Sequence, residues 1–84
     1  LSPLQNLTSL YVAFLRIDDA DLRVLLKLPR LKLLHLHATP ITDKSISTIT
    51  QLRNLTNLGI PGTHISPRGA ARISKQLPGC ELLK

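Results

Sequence analysis

The sequence predicts an α/β chain assembled from one short strand–loop–helix phrase used several times over. Three observations predict it. Leu4, Leu28, Leu52 and Leu77 open similar phrases at an even interval that lengthens by a single position only at the last step. Inside the phrases, "LYV", "LHL" and "LGI" alternate with the period of two that sends one set of side chains inward along a strand. Further on, Asp18, Thr42 and Ser66 hold equivalent positions, and all three are good helix N-caps.

Size and composition bound what such a chain can be. Its 84 residues make one domain, with repeats at 4–27, 28–51 and 52–76 and a truncated repeat at 77–84. A chain this small buries only about 60–65% of its unfolded surface, so its core is modest. Leucine and isoleucine dominate that core, and the only aromatics are Tyr11 and Phe14. One cysteine, Cys80, rules out an intrachain disulfide. No stretch is long and apolar enough for a membrane-spanning helix, and "LSPLQNLTSL" lacks the positive start of a signal peptide. These features favour an intracellular location.

Each element follows from the stacked phrases. Leu7, Leu31 and Leu55 share a column with Cys80, and Leu10, Leu34 and Leu58 share one with Leu83. Val12, Leu36 and Ile60 align, as do Ile17, Ile41 and Ile65. The strand phrase therefore reads L-x-x-L-x-(L/V/I)-x-x-(L/T)-x-I. The helical phrase follows its cap. Pro67 takes a first helical position, where its missing N–H costs nothing. Asp19 and Asp43 sit in first turns, where the helix dipole favours a negative charge. Leu22, Leu25 and Leu26, then Ile46 and Ile49, then Ala70 and Ile73 form apolar faces that should pack on the strand layer.

This pattern resembles the leucine-rich repeat, and the resemblance covers essentially the whole chain. "TPITDKSI" and "THISPRGA" are most similar to the 24-residue class of bacterial multi-repeat proteins, and "LPGCELLK" to its truncated last repeat. The resemblance implies a right-handed solenoid, with short parallel strands on a concave face and helices on the convex face. It implies protein–protein recognition through the concave face, as a scaffold without catalysis. In the family, Asn, Thr or Cys in the ninth column satisfies loop backbone groups. Thr39 and Thr63 match, but Leu15 does not, so the loop "AFLRID" is expected to be looser, with Phe14 covering it. Leu1 falls in the column of Leu25, Ile49 and Ile73. Residues 1–3 are accordingly read as the tail of a preceding repeat, and the chain as part of a longer protein. The open N-terminal edge would invite self-association, since terminal repeats normally need a polar cap.

His35 and His37 pose a choice. They lie two apart on one strand face, about 7 Å from each other, a spacing used by metal-binding strands. Their neighbours in adjacent strands are Tyr11, Ala13, Gly59 and Pro61, none a good zinc ligand, and no Cys, Asp or Glu completes a set. They are therefore read as surface residues of a binding face, with no metal and no cofactor. The candidate partner-binding residues are Tyr11, Leu33, His35, His37 and Asn57, beside Ser9, Ala13, Gly59, Pro61 and Lys84. The loop residues Phe14, Arg16, Pro40 and His64 form the rim.

Eleven Lys and Arg against five Asp and Glu leave a net charge of +6. Arg23, Lys27, Lys44, Arg68, Arg72 and Lys75 fall in the helical phrases, and Arg68, Arg72 and Lys75 share one helix face. An alternative function is therefore contact with nucleic acid or an anionic membrane surface. No aromatic interleaves these cations for base stacking, so a solvated face is preferred. Cys80 is expected to be a buried structural thiol. Glu81 is the only glutamate, and Asp18, Asp19, Asp21 and Asp43 belong to helix starts. No nucleophile–base spacing or phosphate loop appears, so no enzymatic activity is expected.

Overall fold

The computed structural model describes residues 6–84; the proposed tail at 1–3 and the opening Leu4 lie outside the described residues. The fold is mixed α/β. Strands β1 (Ser9–Ala13), β2 (Leu33–His37), β3 (Asn57–Gly59) and β4 (Glu81–Leu83) form one sheet in that order, every pair parallel. Leu10 pairs with Leu34, Leu34 with Leu58, and Leu58 with Leu82, the same shift each time. The backbone repeats with that step. Lys32 and Leu33 N–H donate to Thr8 O, Thr56 and Asn57 N–H to Lys32 O, and Glu81 N–H to Thr56 O.

This register corrects the expected last column. Leu82, not Leu83, lies in phase with Leu58 and packs against the core. The chain carries one extra residue before Leu77 and one fewer between Cys80 and the inward leucine, so the register is restored. Leu83 is consequently 52% exposed, and Lys84 takes the phase of Ile60 rather than of the outer face.

The core lies between the sheet and the helical layer. Leu34, Leu36, Ile41, Ile49 and Leu58 are completely buried. Leu10 and Val12 on β1 and Leu82 on β4 are only half-buried, each flanked by a strand on one side among the described residues.

The helical layer is uneven, and composition explains why. Helix α3 (Pro67–Gln76) has a Ser66 cap, Pro67 at its start and good helix formers in Ala70, Ala71, Arg72, Lys75 and Gln76. Helix α2 (Ile46–Ile49) is a single turn after a 3-10 turn at Asp43–Ser45. Its β-branched residues favour helix less, and the Thr50 hydroxyl donates back to Ile46 O at 2.9 Å. Helix α1 (Asp19–Leu22) begins with a reciprocal cap. Asp21 N–H donates to the Asp18 carboxylate, and Asp18 N–H to that of Asp21. It passes into a 3-10 helix at Arg23–Lys27, which ends at Leu28, before Pro29. Three residues per turn place Leu22 and Leu25 on one side, both buried. Leu26, expected on that face, turns outward with Val24.

The loops after the strands repeat too. Phe14, Ala38 and Gly62 hold the same place in successive repeats, and all have left-handed backbone, with φ of 60°, 56° and 77°. Phe14 N–H donates to His37 O and Ala38 N–H to Pro61 O. Gly62 is needed twice over. Its φ suits glycine, and a Cβ there would come within 3.1 Å of the Ala38 backbone. Thr39 and Thr63 hydroxyls donate to Leu36 O and Ile60 O, as their column implied. Leu15 offers no such bond, and Phe14, expected to cover the loop, is 81% exposed.

A carboxylate ladder joins the helix starts. Asp19 accepts from the Thr42 N–H at 2.8 Å, the Thr42 hydroxyl at 2.7 Å and the Ser45 hydroxyl at 2.5 Å. One phase on, Asp43 accepts from the Ser66 N–H at 2.8 Å and its hydroxyl at 2.6 Å. Each cap hydroxyl thus donates to the preceding unit while accepting from its own helix, Thr42 from Lys44 N–H and Ser66 from Gly69 N–H. Gly69 stands where Ser45 stood, and a Cβ there would fall 2.5 Å from Asp43 Oδ1. Pro67 occupies the next aspartate position and ends the ladder.

Burial alone would raise the Asp19 carboxyl. The bonds from Ser45 and Thr42, with the charge of Lys44, outweigh it and hold the group below its ordinary 3.8. The Ser66 hydroxyl and N–H hold Asp43 below 3.8 against slight desolvation, helped by Arg72. A carboxyl whose folded pKa is depressed stabilises the fold above its unfolded value, and that contribution is lost as pH falls through the folded value. Chemical denaturation should therefore show lower stability at about pH 3 than at neutral pH. Asp19→Ala should cost about 1–3 kcal/mol at neutral pH, by orphaning its donors, and should narrow the difference between the two conditions. Leu34→Ala, which empties a fully buried site, should cost about 2–5 kcal/mol in the same assay.

Candidate binding face

The sheet face turned away from the helices is built by alternation. With Leu10, Val12, Leu34, Leu36 and Leu58 directed to the core, the residues between them face outward. Register then sets them in rows. Ser9, Leu33, Asn57 and Glu81 form one row, and Tyr11, His35, Gly59 and Leu83 the next. Ala13 and His37 begin a third.

An aromatic cluster spans the second and third rows. The rings of Tyr11 and His35 are 5.1 Å apart and tilted by 59°. Those of His35 and His37 are also 5.1 Å apart and lie nearly parallel, at 10°. Tyr11 is 69% exposed and the imidazoles are half-buried. Gly59 makes room for this. A Cβ on Gly59 would sit 3.0 Å from His37 Nε2 and 3.1 Å from His35 Cγ, so the imidazoles lean over the bare backbone of β3 and bury it. His37 Nε2 is buried there without a hydrogen-bond partner. Face-to-face stacking presents the histidine rings, rather than converging nitrogens, to each other. Among the described residues, no three His, Cys, Asp or Glu side chains come close enough to hold a metal ion.

The predicted residues divide between two places. Tyr11, Leu33, His35, His37 and Asn57 share the outer sheet face. Phe14 and His64 do not. They meet at the ends of the strands, around a shallow depression of about 440 Å³ that Leu15, Arg16, Pro40 and Gly62 also line. His64 is brought there by the backbone, its N–H donating to Ile41 O beside the bridge between Thr42 and His64. Leu15 and Leu83 are exposed members that the candidate set lacked. A leucine in a threonine column was the signal for the first, and an unbroken repeat step for the second.

On α3, Arg68, Arg72 and Lys75 are exposed, though Arg72 lies near enough to Asp43 to stabilise its charge. Cys80, expected to be buried, is half-buried, and burial pushes its thiol above the usual value.

No known family profile matches the chain, and no curated protein matches it. The chain is similar to several solved structures, two of which are informative. One is described as the structure of Chaetomium Mex67:Mtr2 subunits. It matches with a TM-score of 0.78 at 26% identity, over 98% of this chain and 56% of that one. The other is an LRR protein of Leptospira interrogans, with a TM-score of 0.56 at 33% identity, over 71% of this chain and 15% of that one. The chain thus spans about half the length of the first and a small part of the second.

The leaning imidazoles make Gly59 the sensitive point of the face. Gly59→Ala should displace both rings, read as shifts of the His35 and His37 ring-proton resonances in NMR spectra, with the Leu34 methyl signals unchanged.

Proposed function

We propose that the chain is a leucine-rich-repeat solenoid segment that binds a protein partner through its concave sheet face, without catalysis. The observation that carries this reading is the row of Tyr11, His35 and Leu83 on a sheet face that no helix covers among the described residues. Tyrosine and histidine combine an apolar body with a polar edge and suit a contact surface. The constant strand register supports the repeat assignment, as does the likeness to an LRR protein. The likeness to a structure of Mex67:Mtr2 subunits supports a role in protein association. The face is narrow. Four strands at about 4.8 Å spacing span roughly 15 Å, so the partner must also engage the rim or neighbouring structure to reach a standard interface of about 800 Å² a side.

The alternative reading places contact on the basic helical face, with nucleic acid or an anionic membrane as the partner. The two readings separate on two substitutions. With a partner recovered from the source cells, Tyr11→Ala should weaken binding about tenfold or more, and Arg72→Glu should leave it unchanged at moderate salt. The reverse pattern, with affinity falling steeply as salt rises, would assign function to Arg68, Arg72 and Lys75.

A further inference from the structure

The depression at the strand ends differs from the sheet face in its chemistry. Phe14 and Leu15 are both largely exposed beside it, the only pair of consecutive large apolar side chains so exposed among the described residues. Arg16 and His64 line the same depression. Neither side chain makes a hydrogen bond or ion pair among the described residues, and no carboxylate lines the depression. The nearest acids in sequence are already engaged. Asp18 accepts from Asp21 N–H, and Asp19 from Thr42 and Ser45. Phe14 is displayed by a constrained backbone. Its left-handed φ of 60° is one that residues other than glycine adopt at a cost, and its N–H is fixed to His37 O.

An apolar ledge beside the Arg16 guanidinium, which has no partner among the described residues, and the His64 imidazole, on a chain of net charge +6, calls for an acidic occupant. We propose that this rim binds a protein segment in which large apolar side chains lie next to carboxylates. The segment's apolar residues pack on Phe14 and Leu15, and its carboxylates pair with Arg16 and reach His64. A guanidinium can hold a carboxylate by two parallel hydrogen bonds, which fixes the direction of the segment along the rim. This inference rests on the proposed role in protein recognition and gives that role its partner chemistry.

The test uses the whole chain and fluorescein-labelled peptides. One carries a Leu-Phe pair flanked by aspartates and glutamates. Its twin has Asn and Gln in place of the acids. Anisotropy should show the acidic peptide binding about tenfold tighter than its twin. Phe14→Ala and Arg16→Glu should each lose about tenfold or more, and Tyr11→Ala should stay within about twofold. All three side chains are exposed, and circular dichroism of the variants verifies folding; Arg16→Gln, which removes only the charge, should lie between wild type and Arg16→Glu. Equal binding of the two peptides, or indifference to both Arg16 variants, overturns the rim proposal. So does tighter binding of a labelled single-stranded RNA that is lost in Arg16→Glu, which would assign the rim to phosphate. Selection from a random peptide library separates this failure from a wider one. Selected peptides lost on Tyr11→Ala but not on Phe14→Ala leave the sheet-face reading standing without the rim. Failure to select any peptide that depends on either residue overturns both.

Discussion

The constant step from one repeat to the next is the constraint on which the rest of the structure depends. Because parallel strands pair at that shift, every strand residue lies beside its counterpart in the next unit. A leucine meets a leucine, so a unit that could not bury its apolar face alone completes a core with its neighbour. Left-handed turns meet left-handed turns, and cap hydroxyls meet aspartates. The spacing also fixes what the outer face can hold. Glycine at one step of β3 leaves space that the histidines of β2 fill, so the ring cluster is a product of register as much as of residue type.

Polar satisfaction works across units more than within them. Thr39 and Thr63 close their own loops, but Asp19 and Asp43 reach forward to Thr42, Ser45 and Ser66. Where a unit departs from the pattern, a side chain is freed. Leu15, in the column of those threonines, leaves the loop after β1 with an apolar ledge rather than an internal bond. The surface with the most distinct chemistry thus arises where the repeat is least regular.

Much of this is legible in the sequence. Apolar columns at a fixed spacing give the inward leucines Leu10, Leu34 and Leu58, and period two separates Leu34 and Leu36 from His35 and His37. Asp18, Thr42 and Ser66 mark where each helical stretch begins. What lies beyond reach has physical reasons. Alpha-helical spacing assigns Leu26 to a buried face, but 3-10 geometry there turns it outward. Aligning on Leu77 shifts Leu83 by one, because it hides a compensating change in the following turn. The rim of Phe14, Arg16, Pro40 and His64 is legible from their shared loop positions, but the apolar ledge that Leu15 adds to it is not. The stacking of His35 on His37 depends on an absent side chain in another strand.

The carboxylate ladder also sets how the molecule responds to acid. Its bonds tie the first unit to the second and the second to the third, and Pro67 leaves no aspartate to continue it. The buried leucine contacts between units carry no charge and do not titrate. Protonating Asp19 and Asp43 therefore weakens the ties between neighbouring units on the helical side and leaves the strand pairing without a titrating group.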